Sequence, residues 1–155
     1  MRHPWLALMV IIPLAGCVKT KPTLVAIDSW AYRADSGVVA TEAILSHAGQ
    51  MTPARSREIL TIAKPIAEIG LQATHVLQAW QPGQPMPDTL PKLIEELYDL
   101  VRLLIRLLPP EQARVLLAQP RVTPRDLSDE LARLDVSWRG LLEEIAARLA
   151  ALGNQ

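Results

Sequence analysis

Apolar and small side chains recur every three or four positions along most of the chain, the spacing that places them on one face of an α-helix. The first such run is Leu24, Ile27, Ala31, Ala34, Val38, Thr41, Leu45 and Ala48, with Gly49 as its stop. Gly37 falls inside it and is expected to weaken the helix by up to about 1 kcal/mol. A second run follows Thr52-Pro53, which reads as an N-cap with proline at the first helical position: Ile59, Ile62, Ile66, Ile69, Ala73, Val76 and Trp80. Pro65 lies within it, so a backbone hydrogen bond is lost near Thr61 and a bend is expected. Pro82, Pro85 and Pro87 then stiffen a loop from 81 to 89.

The third run, about Leu90 to Leu108, carries Leu93, Leu97, Leu100, Leu104 and Leu107, with Ile94, Val101, Ile105 and Leu108 widening the face, and predicts the most buried helix. Pro109-Pro110 ends it, and 111–119 reads as one or two helical turns before Pro120. A last helix is expected from Thr123-Pro124, with Asp126 in the place of a capping-box glutamate. Its seam is Leu127, Leu131, Leu134, Trp138, Leu141, Ile145 and Leu152, and Gly153-Asn154 closes it. Four long helices and one short connector, each long one with a single apolar face, predict an all-α antiparallel helical bundle over residues 23–155, behind an N-terminal signal segment. Leucine and alanine supply most of the apolar residues and phenylalanine is absent, which also favours helix over sheet.

The first sixteen residues follow a different rule. Met1-Arg2-His3 is a short basic start, and Trp5 to Ile12 is an apolar run too short for the roughly 20 residues that cross a bilayer. Small residues and the single cysteine of the chain come next, as Leu14-Ala15-Gly16-Cys17. This segment resembles a bacterial lipoprotein precursor, whose lipobox is an aliphatic residue, two small residues and a cysteine. The resemblance implies a signal peptide at 1–16, lipid attachment at Cys17, and a tether over 17–22 that holds the domain near the bilayer. With no second cysteine, Cys17 has no disulfide partner within the chain. Val18 is not the aspartate associated with inner-membrane retention, so the resemblance implies an outer-membrane anchor facing the periplasm.

Cleavage before Cys17 removes Arg2 from a chain of 16 basic and 16 acidic side chains, leaving 139 residues with 15 against 16. Such a balance offers no clustered basic surface for nucleic acid. Candidate chemistry is sparse. Asp28, Asp35 and Glu42 stand seven apart and share a helix face, and Glu68, Gln72 and His75 do likewise on the second helix. A carboxylate bundle site would need a Glu-x-x-His pair where Gln72-x-x-His75 stands, so the acids are read as a solvated face and no metal is expected. His47 closes the first helix, where a cation suits the dipole. No serine lies in a G-x-S-x-G turn and no phosphate loop occurs, so no catalytic residue and no cofactor is expected. Arg102 and Arg106 are expected to pair with Glu95, Glu96 and Asp99 on a solvated face. The sequence thus predicts a non-enzymatic binding or scaffolding module for an envelope protein partner, anchored to the membrane by lipid. The alternatives are a carrier of a lipid or hydrophobic ligand, and a metal-dependent enzyme whose site is scattered along the chain.

Overall fold

A computed structural model describes residues 21–153, which form five helices in the order α1 (Lys21–His47), α2 (Pro53–Ala79), α3 (Leu90–Ile105), α4 (Pro110–Leu117) and α5 (Leu127–Gly153). The described residues form an all-α bundle of four long helices and a short connecting one. Cys17 and the lipobox lie outside the described residues. Helix α1 begins at Lys21, taking in the last two residues expected of the tether.

The helix ends follow from local chemistry. Thr52 Oγ1 accepts a hydrogen bond from the Arg55 amide at 3.2 Å, and Pro53 occupies the first turn of α2. Gly49 takes φ +72°, while the Gln50 and Gly49 amides return to the Leu45 and Ser46 carbonyls at 2.8 and 3.1 Å. That pair of bonds is a Schellman stop, and it needs the left-handed backbone that glycine adopts without penalty. The start of α5 differs from expectation. Residues 123–126 are not helical, and Asp126 is itself the cap, its Oδ1 accepting from the Asp129 amide at 3.0 Å.

Packing directions can be read from side-chain pairs. Lys21 Nζ donates to the Trp80 carbonyl at 2.9 Å and Thr74 meets Asp28, so α1 and α2 are antiparallel. Arg57 reaches the Leu152 carbonyl and His75 meets Asp135, so α2 and α5 are antiparallel too. Consequently α5 runs in the same direction as α1, a geometry made possible by α4 and the 118–126 segment, which carry the chain back across α1. Helices α3 and α5 flank the α1/α2 pair on opposite sides.

That arrangement decides which helix is most enclosed. It is α1, with 13 of its 27 residues buried, rather than α3, because α1 is covered by α2, α3, α4 and α5 in turn. Both central helices are buried over more than the single face expected. On α2 a second stripe, Leu60, Ala63, Ala67, Gly70, Thr74 and Leu77, is buried beside Ile59, Ile66 and Ala73. Gly37 serves packing: a Cβ there would lie 2.7 Å from Leu116 Cδ2, so its absence lets α4 seat on α1. Gly70 does the same for α5, since a Cβ would overlap the Trp138 indole.

Trp30 and Trp80 lie at different levels of the α1/α2 pair. The α1/α2 register places Trp30 about two turns below the Lys21–Trp80 contact, and its ring packs on Tyr98 at 5.4 Å instead.

Candidate functional site

Asp28, Asp35 and Glu42 are fully buried, which overturns their reading as a solvated acidic face. They occupy the side of α1 that meets α2 and α5, a side the apolar spacing does not mark. Each has a different environment. Glu42 receives two hydrogen bonds from Arg148 of α5, Nε to Oε2 at 3.1 Å and Nη2 to Oε1 at 2.5 Å. This forked pairing satisfies a carboxylate that could not otherwise stay charged inside a protein.

Asp28 accepts from the Trp138 indole N–H at 3.0 Å through Oδ1, and its Oδ2 lies 2.5 Å from Thr74 Oγ1. Thr74 Oγ1 also lies 2.9 Å from the Gly70 carbonyl. A hydroxyl has one proton, so it cannot donate to both. If Thr74 donates to Gly70, Asp28 must carry a proton on Oδ2 and donate it to Thr74. Every group in the network is then satisfied. Burial pushes the Asp28 carboxyl up to about 7 against the lowering effect of the Thr74 and Trp138 hydrogen bonds.

Asp35 stands between them, about 10 Å from each by helix rise. Neither of its oxygens has a hydrogen-bond partner, and burial alone raises its pKa well above the usual carboxylate range. The neutral acid is the form this setting favours. The ladder is too extended to hold one metal ion, whose oxygen ligands lie roughly 2.0–2.6 Å from it. Among the described residues no three His, Cys, Asp or Glu side chains converge in that way.

The second-helix residues considered with these acids are elsewhere. Glu68, Gln72 and His75 are exposed, and His75 Nε2 lies 2.9 Å from Asp135 Oδ1 of α5. That hydrogen bond first, and one from Arg139 second, hold Asp135 below its ordinary range. His47 is exposed at the end of α1. Arg102 lies over the Tyr98 ring at 5.7 Å, in place of the expected acidic partners. Of the tryptophans, Trp138 is core, Trp30 is nearly so, and Trp80 is half-buried with its N–H donating to the Gln84 carbonyl at 3.0 Å.

Sequence spacing gave no hint of a groove between α1 and α3. Leu24 and Ile27 form one wall, Pro91 and Ile94 the other, enclosing about 510 Å3. That volume lies within the roughly 300–1,000 Å3 usual for small-molecule sites, and the walls share their apolar character. Glu95, Tyr98 and Arg121 complete the lining. Arg121 comes from the segment between α4 and α5, and its guanidinium sits 5.5 Å over Trp30 and 5.2 Å over Tyr98. Its Nη2 donates to the Tyr98 hydroxyl at 3.3 Å. The connector is held in place by Arg33, which donates to the Pro120 carbonyl at 2.9 Å. Long-range placement of Arg121 by this connector is what sequence spacing could not reveal.

A second hollow of about 520 Å3 lies at the opposite end, among Met51, Thr52, Arg55, Arg106 and Pro109. It brings together the α1–α2 turn and the Pro109-Pro110 corner, as an antiparallel α2 requires. The groove, by contrast, opens beside the first turns of α1. No described helix is long and apolar enough to cross a membrane. No protein-family model matches the chain, and no curated protein and no solved structure matches it.

Proposed function

We propose that this chain is a lipid-anchored bacterial envelope protein whose helical bundle is a binding module, taking another envelope component into the groove between α1 and α3. The observation that carries the reading is the groove itself: apolar walls from two helices, with an arginine held over two aromatic rings at its mouth. The lipobox-like Leu14-Ala15-Gly16-Cys17 supplies the anchor, and α1 starts only four residues after Cys17. So short a link, at most about 14 Å when extended, puts Leu24 and Ile27 near the bilayer surface. The assigned role is binding, with no catalytic residue, and the outer membrane facing the periplasm is its proposed place.

Two measurements test this. Radiolabelled palmitate is expected to enter the wild-type protein and not a Cys17→Ser variant; equal labelling of both would remove the anchor. A photoreactive amino acid at Ile27, introduced in cells, is expected to give adducts that Arg121→Gln diminishes. Adducts equal to those from exposed Glu68 would remove the groove.

A further inference from the structure

The groove has a feature that apolar docking alone leaves unexplained: it carries one positive and one negative side chain that do not neutralise each other. Arg121 and Glu95 line the same space, yet no ion pair joins them among the described residues. Arg121 spends one N–H on Tyr98, and its guanidinium carbon lies over the Trp30 and Tyr98 rings. A guanidinium has five N–H donors in a planar fork, so its outer edge stays available for an anion with two oxygens. The two rings and the Tyr98 hydroxyl hold the guanidinium in place before any ligand arrives. Glu95 stands one helical turn before Tyr98, and so on the same face of α3.

A ligand that matches these features has one apolar chain for the half-buried Ile27 and Pro91 that face each other across the groove, an anionic oxygen group for Arg121, and a cation for Glu95. We infer that the groove binds a single-chain zwitterionic phospholipid, with its phosphate on Arg121 and its ammonium on Glu95. This rests on the groove being the binding site, and it names the class of component bound. A long-chain carboxylate would satisfy Arg121 but bring like charge to Glu95, and a long-chain ammonium would do the reverse. The zwitterion alone complements both.

The experiment uses the full chain in micelles of an uncharged maltoside detergent, with lysophosphatidylethanolamine bearing a photoreactive group on its acyl chain. Crosslinks are mapped to peptides by mass spectrometry and competed with unlabelled lysophosphatidylethanolamine, hexadecanoate or hexadecylammonium. Labelling is expected at 24–27 and 91–94, with half-displacement by the zwitterion at about tenfold lower concentration than by either singly charged chain, the ratio expected for one unmatched charge. Arg121→Gln is expected to raise the zwitterion's half-displacement concentration about tenfold. Glu95→Gln should erase the preference over hexadecanoate. Both residues are exposed, so neither change threatens the fold. Groove labelling that hexadecanoate displaces as well as the zwitterion, or that Glu95→Gln leaves unaltered in preference, would overturn the headgroup assignment while keeping the groove. Labelling outside the groove, or labelling undiminished when Ile27→Trp fills it, would overturn both.

Discussion

Replacing Asp28 by asparagine isolates the effect of one buried proton. When Asp28 is protonated, its Oδ2 donates to Thr74 and Thr74 donates to Gly70, while Trp138 donates to the acid's other oxygen; when it is ionised, Thr74 must turn its proton to the carboxylate and leave Gly70. An asparagine amide reproduces the protonated pattern at every pH, with its oxygen under the indole and its nitrogen toward Thr74. The acid does not. Its pKa rises from 3.8 in the free side chain to about 7 on burial, so the folded protein holds a proton that the unfolded chain has already released. A raised carboxyl pKa contributes stability that is complete below the unfolded value and is lost as pH climbs to the folded one. Each pH unit in that window costs about 1.4 kcal/mol, so between pH 5 and pH 8 the wild type loses about 3 kcal/mol through Asp28.

Asp35 acts in the same direction, but it is present in both proteins, and its effect largely cancels in the difference. Urea unfolding at pH 5, 6, 7 and 8 gives that difference directly. At pH 5 the Asp28→Asn variant is expected to be less stable by about 1 kcal/mol, because its second amide hydrogen lacks an acceptor. By pH 8 it should be more stable by about 2 kcal/mol, and the two curves should cross near pH 6. Parallel curves would refute the protonated network. So would a variant that loses ground as pH rises.

Three further outcomes test the packing. Gly70→Ala should cost about 1–3 kcal/mol because its Cβ meets the Trp138 ring, whereas Gly140→Ala, with open space around it in α5, should gain up to about 1 kcal/mol by chemical denaturation. Arg148→Ala should cost about 3–5 kcal/mol by leaving the enclosed Glu42 side chain without its partner, and calorimetry should show much of the loss returning in an Arg148→Ala, Glu42→Gln double variant. Leu97→Ala should cost about 2–5 kcal/mol, against about 0.5 kcal/mol or less for exposed Glu143→Ala; equal effects would contradict the buried face of α3.

Helices were legible because their signals are local. Thr52-Pro53 and Gly49 act within a turn or two of themselves, and they cap and stop their helices as expected. The start of α5 shows the limit: Thr123-Pro124 reads as the start with Asp126 as an acid inside the first turn, whereas the Asp126–Asp129 hydrogen bond makes Asp126 itself the cap. What spacing could not supply was which helices lie at the centre. A helix packed on one neighbour shows one stripe, but α1 and α2 are packed on several, so their second stripes must also be enclosed, whatever their polarity.

The acidic ladder follows from that same placement. Asp28, Asp35 and Glu42 look solvated because three acids at heptad spacing on an isolated helix would face water. Their partners, Trp138 and Arg148, lie more than 100 residues away in the chain. The one local clue is that the 28-35-42 stripe lies among small or apolar neighbours, Val25, Ala31, Val38 and Val39, all buried, rather than among lysines and glutamates. A helix whose acids are flanked in this way has no continuous polar face to offer solvent. It must either bury them or expose the apolar side chains around them. With about 25 cal/mol recovered per Å2 of apolar surface removed from water, burial is favoured wherever the acids can be neutralised or paired. Asp28 meets that condition through a raised pKa and its bonds to Trp138 and Thr74, Glu42 through its arginine, and Asp35, without a partner, through a carboxyl that burial shifts toward the neutral form.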